Sequence, residues 1–394
     1  MTEHQISAAG RGTGPLGRTD LLLIAGSGAF TLLAVLGRDA GTVAAFVLSA
    51  LALAVLAGLV GRSVDQLSDR LGAGAVGALQ SALGNLPELF VCVFALRRGL
   101  TEVVSAALIG SILGNMLLVL GLSFVVGGRR HGLLRFSELR ARMMMSLLLL
   151  SVAAMFVPSL AHYVNAAAGA HEVALSRVTA VVLLGVFALS VPSSLRRDEL
   201  RAEDEQRAPY ERERPGAGEP GPGDAAGAAA GAAQAAGATG PGWPLPLAVA
   251  LLAGSAVLAA YVSDLFVDAL TPAMAALHVN EVFAGLVIVA IAGNAVENAV
   301  GVRLAWRDKT DHALAVILGS PLQIAVVLAP ALVLLSPAIG GPAFTLVFSP
   351  MLMASVAVSV GVVAFLVSDG VSDWLEGATM IGLYVLIAAA FWWG

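Results

Sequence analysis

"GNLPELFVCVFAL" occupies residues 84–96, and its first five letters set a helix breaker, an amide and a carboxylate directly before an apolar run. A second stretch, "GNAVENAVGVRLA" at residues 293–305, repeats the pattern 209 residues later. The same offset relates "GSILGN" at 110–115 to "GSPLQI" at 319–324, and in each half 26 residues separate the two opening glycines. Two motifs that keep one register across an unrelated intervening segment indicate an internal duplication.

The surroundings of these motifs are membrane-like. Hydrophobic residues make up 58% of the 394, charged residues 12%, and mean hydropathy is +0.86, whereas soluble chains are about 25% charged. A hydrocarbon layer of about 30 Å takes about 20 apolar residues as helix. Eleven such runs are expected, near 19–37, 42–61, 72–96, 102–127, 143–163, 172–195, 243–263, 281–305, 312–336, 344–368 and 375–393. The first reads as an uncleaved helix rather than a signal peptide, since ten further spans follow it.

Basic residues set an expected orientation. The N-terminus and the even-numbered connections hold 18 of the 22 Lys and Arg, leaving Arg38, Arg97 and Arg98 on the other side and Arg177 within a span. The positive-inside rule then makes the N-terminus cytoplasmic and puts Gly394 outside a multi-pass chain in the cell membrane. Residues 196–242 begin with mixed charge, which suits a short helix at the membrane surface. They end in low-complexity Gly, Ala and Pro, the composition of a flexible cytoplasmic linker.

The expected organisation is therefore all-α. It comprises a tail (1–18), a leading helix (19–37), a first five-helix repeat (42–195), the linker (196–242) and a second five-helix repeat (243–394). An odd number of spans inverts the second repeat relative to the first. Inverted repeats belong to secondary transporters, whose sites lie at the midplane where the repeats face each other.

The motif residues suit such a site. Asn85 and Glu88, like Asn294 and Glu297, are three residues apart, so each pair shares a helix face. Gly84 and Gly293 lack a Cβ and permit close approach. Pro87 within a helix removes one N–H and frees the carbonyl of Leu83, and Pro321 does the same for Ile317. At membrane depth a free carbonyl persists only in protein or against a wet cavity, where a cation can serve it.

Ionisable groups at that depth are costly and mark function, although a lone glutamate can also act as helix glue. An oxygen-only set with two carboxylates suits a hard cation, and calcium takes roughly six to eight oxygens. Magnesium fits less well and sodium stays open. Two facing glutamates carry both charges only with a cation between them and otherwise hold protons, so metal and protons compete for one site. Competition combined with alternating access gives antiport.

These four motifs, with "RFSELRARMMMSLLLLSVAAMFVP" at 135–158, resemble the paired signature motifs of the calcium/proton exchangers within the calcium/cation antiporter superfamily. The resemblance implies an eleven-helix protein that exports Ca²⁺ from the cytoplasm against proton influx, with no cofactor. Its site glutamates map onto Glu88 and Glu297 and its motif asparagines onto Asn85 and Asn294. Ser111, Asn115, Ser320 and Gln323 fall on polar motif positions along the ion path. The chain departs from the pattern where it has "GNLPE" for the usual "GNATE", and where Asn298 stands in place of a histidine after the second glutamate. Na⁺ or Mn²⁺ exchange against H⁺, or Na⁺/Ca²⁺ exchange, are the neighbouring alternatives, and a cation channel a more distant one.

No H-E-x-x-H or G-x-S-x-G motif occurs, so an enzyme is not expected. The partners are the bilayer, cations and protons, with no nucleic acid and no oligomeric state specified. The single cysteine, Cys92, excludes an intramolecular disulfide and reads as packing. His162, His171 and Glu172, and likewise Asp264, Asp268 and Glu281, are expected to face water at the outer side. Asp369, Asp373 and Glu376 bracket the last cytoplasmic turn, and residues 129–142 form a loop bearing topogenic arginines.

Overall fold

A computed structural model describes residues 16–68, 83–207 and 243–393. Two helices lead the chain, α1 (Arg18–Leu36) and α2 (Thr42–Ser68). After them come α3 (Leu86–Arg97), α4 (Thr101–Leu113), a π-helical segment (Gly114–Val119) and α5 (Leu120–His131). A two-residue strand β1 (Leu134–Arg135) precedes α6 (Glu138–Tyr163) and α7 (Glu172–Arg207).

The second half begins with α8 (Leu245–Leu277) and a short α9 (Glu281–Phe283). A π segment (Ala284–Val289) leads into α10 (Ala290–Gly293), then α11 (Ala295–Trp306) and α12 (Thr310–Gln323). A further π segment (Ile324–Leu328) leads into α13 (Ala329–Ile339), then α14 (Pro350–Leu366), strand β2 (Val371–Ser372) and α15 (Trp374–Trp392).

The duplication is visible in the element boundaries. Helices α3 and α11 both begin and end 209 residues apart, and α4 and α12 also begin 209 apart. Each α4-type rod passes through a π segment at the matched place, Gly114–Val119 and Ile324–Leu328. The turns before these rods match as well. Gly99 (φ 76°) and Asp308 (φ 60°) are twins that take the same left-handed conformation, which glycine adopts freely and aspartate at modest cost.

The rod Thr101–His131 has 31 residues, about 46 Å at 1.5 Å per residue, so its ends lie at opposite faces. At its start Arg98 bonds Asp264 and Asp268 at 2.8 and 2.5 Å. At its end His131 Nε2–H donates to the Trp306 carbonyl at 3.0 Å. The turn after α3 and its twin after α11 therefore sit on opposite faces, and the second repeat is inverted. On the second face β1 pairs antiparallel with β2, and the Ser137 N–H donates to Asp311 Oδ1 at 2.8 Å.

The rods form the centre of the molecule. In the most apolar window of Thr101–His131, 83% is buried, against 22% in Trp374–Trp392. Glycines set the closest crossing. A Cβ on Gly110 would lie 2.1 Å from the Leu286 carbonyl, and one on Gly285 2.4 Å from that of Val103. Missing side chains on both helices bring the two repeats into backbone contact, the small-residue packing of membrane helices.

Several expected boundaries move. The run at 243–263 is exceeded by α8, which continues to Leu277. Asp264 and Asp268, one turn apart, are carried inside it because Arg98 neutralises them, so they are ion-paired rather than simply solvated. The run at 172–195 is likewise exceeded, since α7 reaches Arg207. The run at 344–368 starts late, because Ser349 caps α14 and Pro350 occupies its first turn.

Phe344, Leu346 and Phe348 are instead buried in non-helical backbone. Their N–H groups go to the hydroxyls of Ser336, Ser176 and Ser159 at 3.1, 3.0 and 2.8 Å. Three serines from three helices thus satisfy an apolar segment that has no helix of its own.

Eight described helices are long and apolar enough to cross a membrane, nine if the bent pair Glu281–Gly293 and Glu297–Trp306 is one span, and Pro350–Leu366 is shorter. The first part of the expected third span, the tail up to residue 15 and the linker from residue 208 onward lie outside the described residues.

Candidate functional site

The site forms where both GN-x-x-E motifs interrupt their helices. Asn85 (φ −93°, ψ 19°) and Asn294 (φ −102°, ψ 12°) immediately precede α3 and α11. Around the second break the helix turns by 63°. Glu88 and Glu297 are each the third residue of the new helix, in its first turn. A helix N-terminus carries about half a positive charge, which favours carboxylates there. Before the second break, α10 ends at Gly293 with its carbonyls directed towards the gap. This is the broken-helix arrangement in which one half-helix end offers oxygens to a cation.

Neither asparagine caps its own helix. Asn294 Nδ2 donates to Ser111 Oγ at 2.9 Å and to the Ala290 carbonyl at 3.0 Å. The Ser111 hydroxyl donates to Glu88 Oε1. Asn115 Nδ2 lies 3.0 Å from the Ser111 carbonyl, 3.3 Å from Ser320 Oγ and 3.4 Å from Asn294 Oδ1. Asn85 Nδ2 donates to Gln323 Oε1 at 3.2 Å. The network joins α3 and the first rod to α11 and the second rod, so both repeats build one site.

Burial is nearly complete. Asn85, Glu88, Ser111, Asn115, Asn294 and Ser320 are all 7% exposed or less. Four buried oxygens nevertheless have no protein partner among the described residues: Glu88 Oε2, Glu297 Oε2, Asn115 Oδ1 and Asn298 Oδ1. Each such orphan costs about 1–3 kcal/mol unless an ion, proton or water serves it. Among the described residues no three His, Cys, Asp or Glu converge as a metal cluster. A cation here would draw on two carboxylates, with amide, hydroxyl and carbonyl oxygens for the remainder, which suits a hard ion.

Ser320 differs from its twin Ser111. Its hydroxyl donates to Asn294 Oδ1 at 3.3 Å, whereas that of Ser111 donates to Glu88 Oε1.

Pro87 plays a smaller part than expected. It is the second residue of α3, not an interior residue, where its absent N–H has no helical partner to lose. The break is made at Gly84–Asn85, as at Gly293–Asn294. Gly293 does not have positive φ, so backbone freedom is not what it supplies. A Cβ on Gly293 would lie 3.7 Å from Glu88 Cγ, so this glycine faces the opposite repeat's glutamate. Pro321 does lie inside α12. The π segments that flank the site on three sides leave no signal in residue type or spacing. Cys92 is free and buried, as packing requires.

A family model described as sodium/calcium exchanger protein matches residues 41–195 and 247–393. A Ca²⁺/H⁺ antiporter of Synechocystis sp. is 34% identical over 370 residues, covering 89% of this chain and 91% of its own. A vacuolar calcium ion transporter of Schizosaccharomyces pombe is 32% identical over 351 residues, covering 88% and 79% respectively. Among solved structures, the selenium-substituted Ca²⁺/H⁺ antiporter protein YfkE superposes with a TM-score of 0.73 at 28% identity, covering 96% of this chain and 100% of that one.

Proposed function

Since the chain belongs to the sodium/calcium exchanger protein family, we propose that it exchanges Ca²⁺ for H⁺ by alternating access through a site shared by Glu88 and Glu297. The observation that carries this reading is the buried network in which both repeats contribute one glutamate, each with a carboxylate oxygen that has no partner among the described residues. The likeness to Ca²⁺/H⁺ antiporters over most of the chain supports the pairing of ions.

In the cation-bound form the two carboxylates neutralise a divalent ion, while Asn115, Asn298 and backbone carbonyls offer neutral oxygens. In the proton-bound form each carboxyl becomes a donor and needs no cation. Mutual exclusion couples the two fluxes, and the inverted repeats supply two equivalent ways of opening the site. We place the N-terminus in the cytoplasm and the chain in the cell membrane. The arginine distribution supports this orientation, as does the gathering of Arg62, His131, Arg140 and Trp306 towards one face and of Arg38 and Arg98 towards the other.

Proteoliposomes holding the purified protein test the reading. An imposed proton gradient is expected to drive ⁴⁵Ca²⁺ uptake that collapses with a protonophore. Uptake that requires a sodium gradient, or that flows conductively without proton movement, would remove the proposal.

A further inference from the structure

Beside the ion site a second feature faces the membrane. A groove of about 600 Å³ runs between the first rod and α10–α11, with Leu122 and Val126 on one wall and Ile291 and Val302 on the other. Its inner end reaches Asn298 and its outer end Arg303 and Trp306. From Asn298 to Trp306 is about 12 Å along the helix, close to the roughly 15 Å depth of one leaflet. Leu122, Ile291 and Trp306 are 37%, 40% and 48% exposed, so the groove opens on the outer surface of the helix bundle.

The outer end is basic. Arg130 lies 4.2 Å from the Trp306 ring centroid and Arg129 5.5 Å from that of Trp374. Arg303 lines the groove mouth, and Arg307 follows Trp306 on the same turn. The ion pairs formed on this face use Arg62, Arg140 and Arg142 instead. Arg129, Arg130, Arg303 and Arg307 have no carboxylate partner among the described residues. An apolar channel one leaflet deep, ending in a tryptophan and several uncompensated guanidiniums, is complementary to one class of molecule.

We propose that this groove holds an anionic phospholipid, with an acyl chain along Leu122, Val126 and Val302 and its phosphate at Arg130 and Arg303. Basic pockets between membrane helices take anionic headgroups in this way, and guanidinium pairs with phosphate in bidentate fashion. The chain end would lie against Asn298, next to Glu297. The lipid therefore covers a lateral opening of the bundle beside the ion site.

The test uses the full-length delipidated protein in detergent, titrated with phosphatidylglycerol or phosphatidylcholine and read by native mass spectrometry. Phosphatidylglycerol is expected to bind more tightly than phosphatidylcholine. In the double variant Arg130→Gln/Arg303→Gln that preference should fall by roughly 10- to 30-fold, at about 1 kcal/mol per basic residue. Arg142→Gln, on the same face but outside the groove, should bind as the wild type does. Val302→Trp, which fills the groove and leaves the charges in place, should weaken phosphatidylglycerol binding as well. Equal affinity for the two lipids would overturn the proposal, as would an unchanged double variant or displacement of the lipid by glycerol phosphate alone.

Discussion

The two half-sites match in register but not in chemistry. Glu88 is 4% exposed and accepts from the Ser111 hydroxyl, whereas Ser320, the twin of Ser111, donates to Asn294 Oδ1. Asn294 is held by Ser111, Ala290 and Ser320 and contacts Asn115. Its twin Asn85 has a single side-chain bond among the described residues, to Gln323. The cause lies in the rods, where Asn115 of the first repeat has Ile324 as its twin, and Gln323 of the second has Gly114. An amide displaced by one position on a helix points elsewhere, so one network becomes dense and the other sparse. Duplication supplied the frame, and substitution within it made the two glutamates unequal.

The largest break in this comparison is loss of either carboxylate. Glu88→Gln and Glu297→Gln are each expected to lower proton-driven ⁴⁵Ca²⁺ uptake by about 100-fold or more, since removing one charge from a buried ion site costs about 3–5 kcal/mol. The folded protein should be retained in size-exclusion profiles. A variant that transports at the wild-type rate would show that its glutamate is not a ligand.

The asparagines should separate the half-sites. Asn294→Ala takes a donor from Ser111 and an acceptor from Ser320 and is expected to lower apparent Ca²⁺ affinity by roughly 10- to 100-fold, at about 1–3 kcal/mol in all. Asn85→Ala removes one bond and should cost about 1 kcal/mol, close to fivefold. Equal losses in the two variants would mean that the difference in hydrogen bonding has no bearing on ion binding.

Smaller again is the change at Asn298, whose buried Oδ1 lacks a partner among the described residues. Asn298→His would place a group with an ordinary pKa near 6.5 beside Glu297. The transport rate should then gain an extra step between about pH 6 and 7, a change of a few-fold, visible when rates of the two proteins are compared across that range. The smallest effect is expected from Pro87→Val, which copies the second repeat. With the proline in the first turn of α3, the midpoint of thermal unfolding should move by no more than about 1 kcal/mol in equivalent stability. A large loss would show that the proline shapes the break after all.

Much of this was legible in the chain itself. The membrane class follows from the scarcity of charge, and the inverted duplication follows from one offset kept by two motifs. The residues at 85, 88, 294, 297 and 323 could be named because polar groups amid long apolar runs must serve one another or a ligand, and those at 111, 115 and 320 because their motifs resemble those of the calcium/proton exchangers. Pro87 misled because proline marks a break in sequence without saying on which side the helix resumes. The run at 243–263 stopped short because hydropathy treats Asp264 and Asp268 as an end, while Arg98, 166 and 170 residues away, makes them part of the helix.

Periodicity and composition are local quantities, so the sequence alone determined what is local or repeated: the apolar spans, the paired motifs and the oxygen-bearing residues that belong together. Only the tertiary structure decided which oxygen meets which. Pairing Ser111 with Glu88, turning Ser320 to Asn294 and leaving four site oxygens unpartnered among the described residues depend on how two inverted repeats cross at Gly110 and Gly285. A crossing is set by packing between distant segments, and no short window of residues records it.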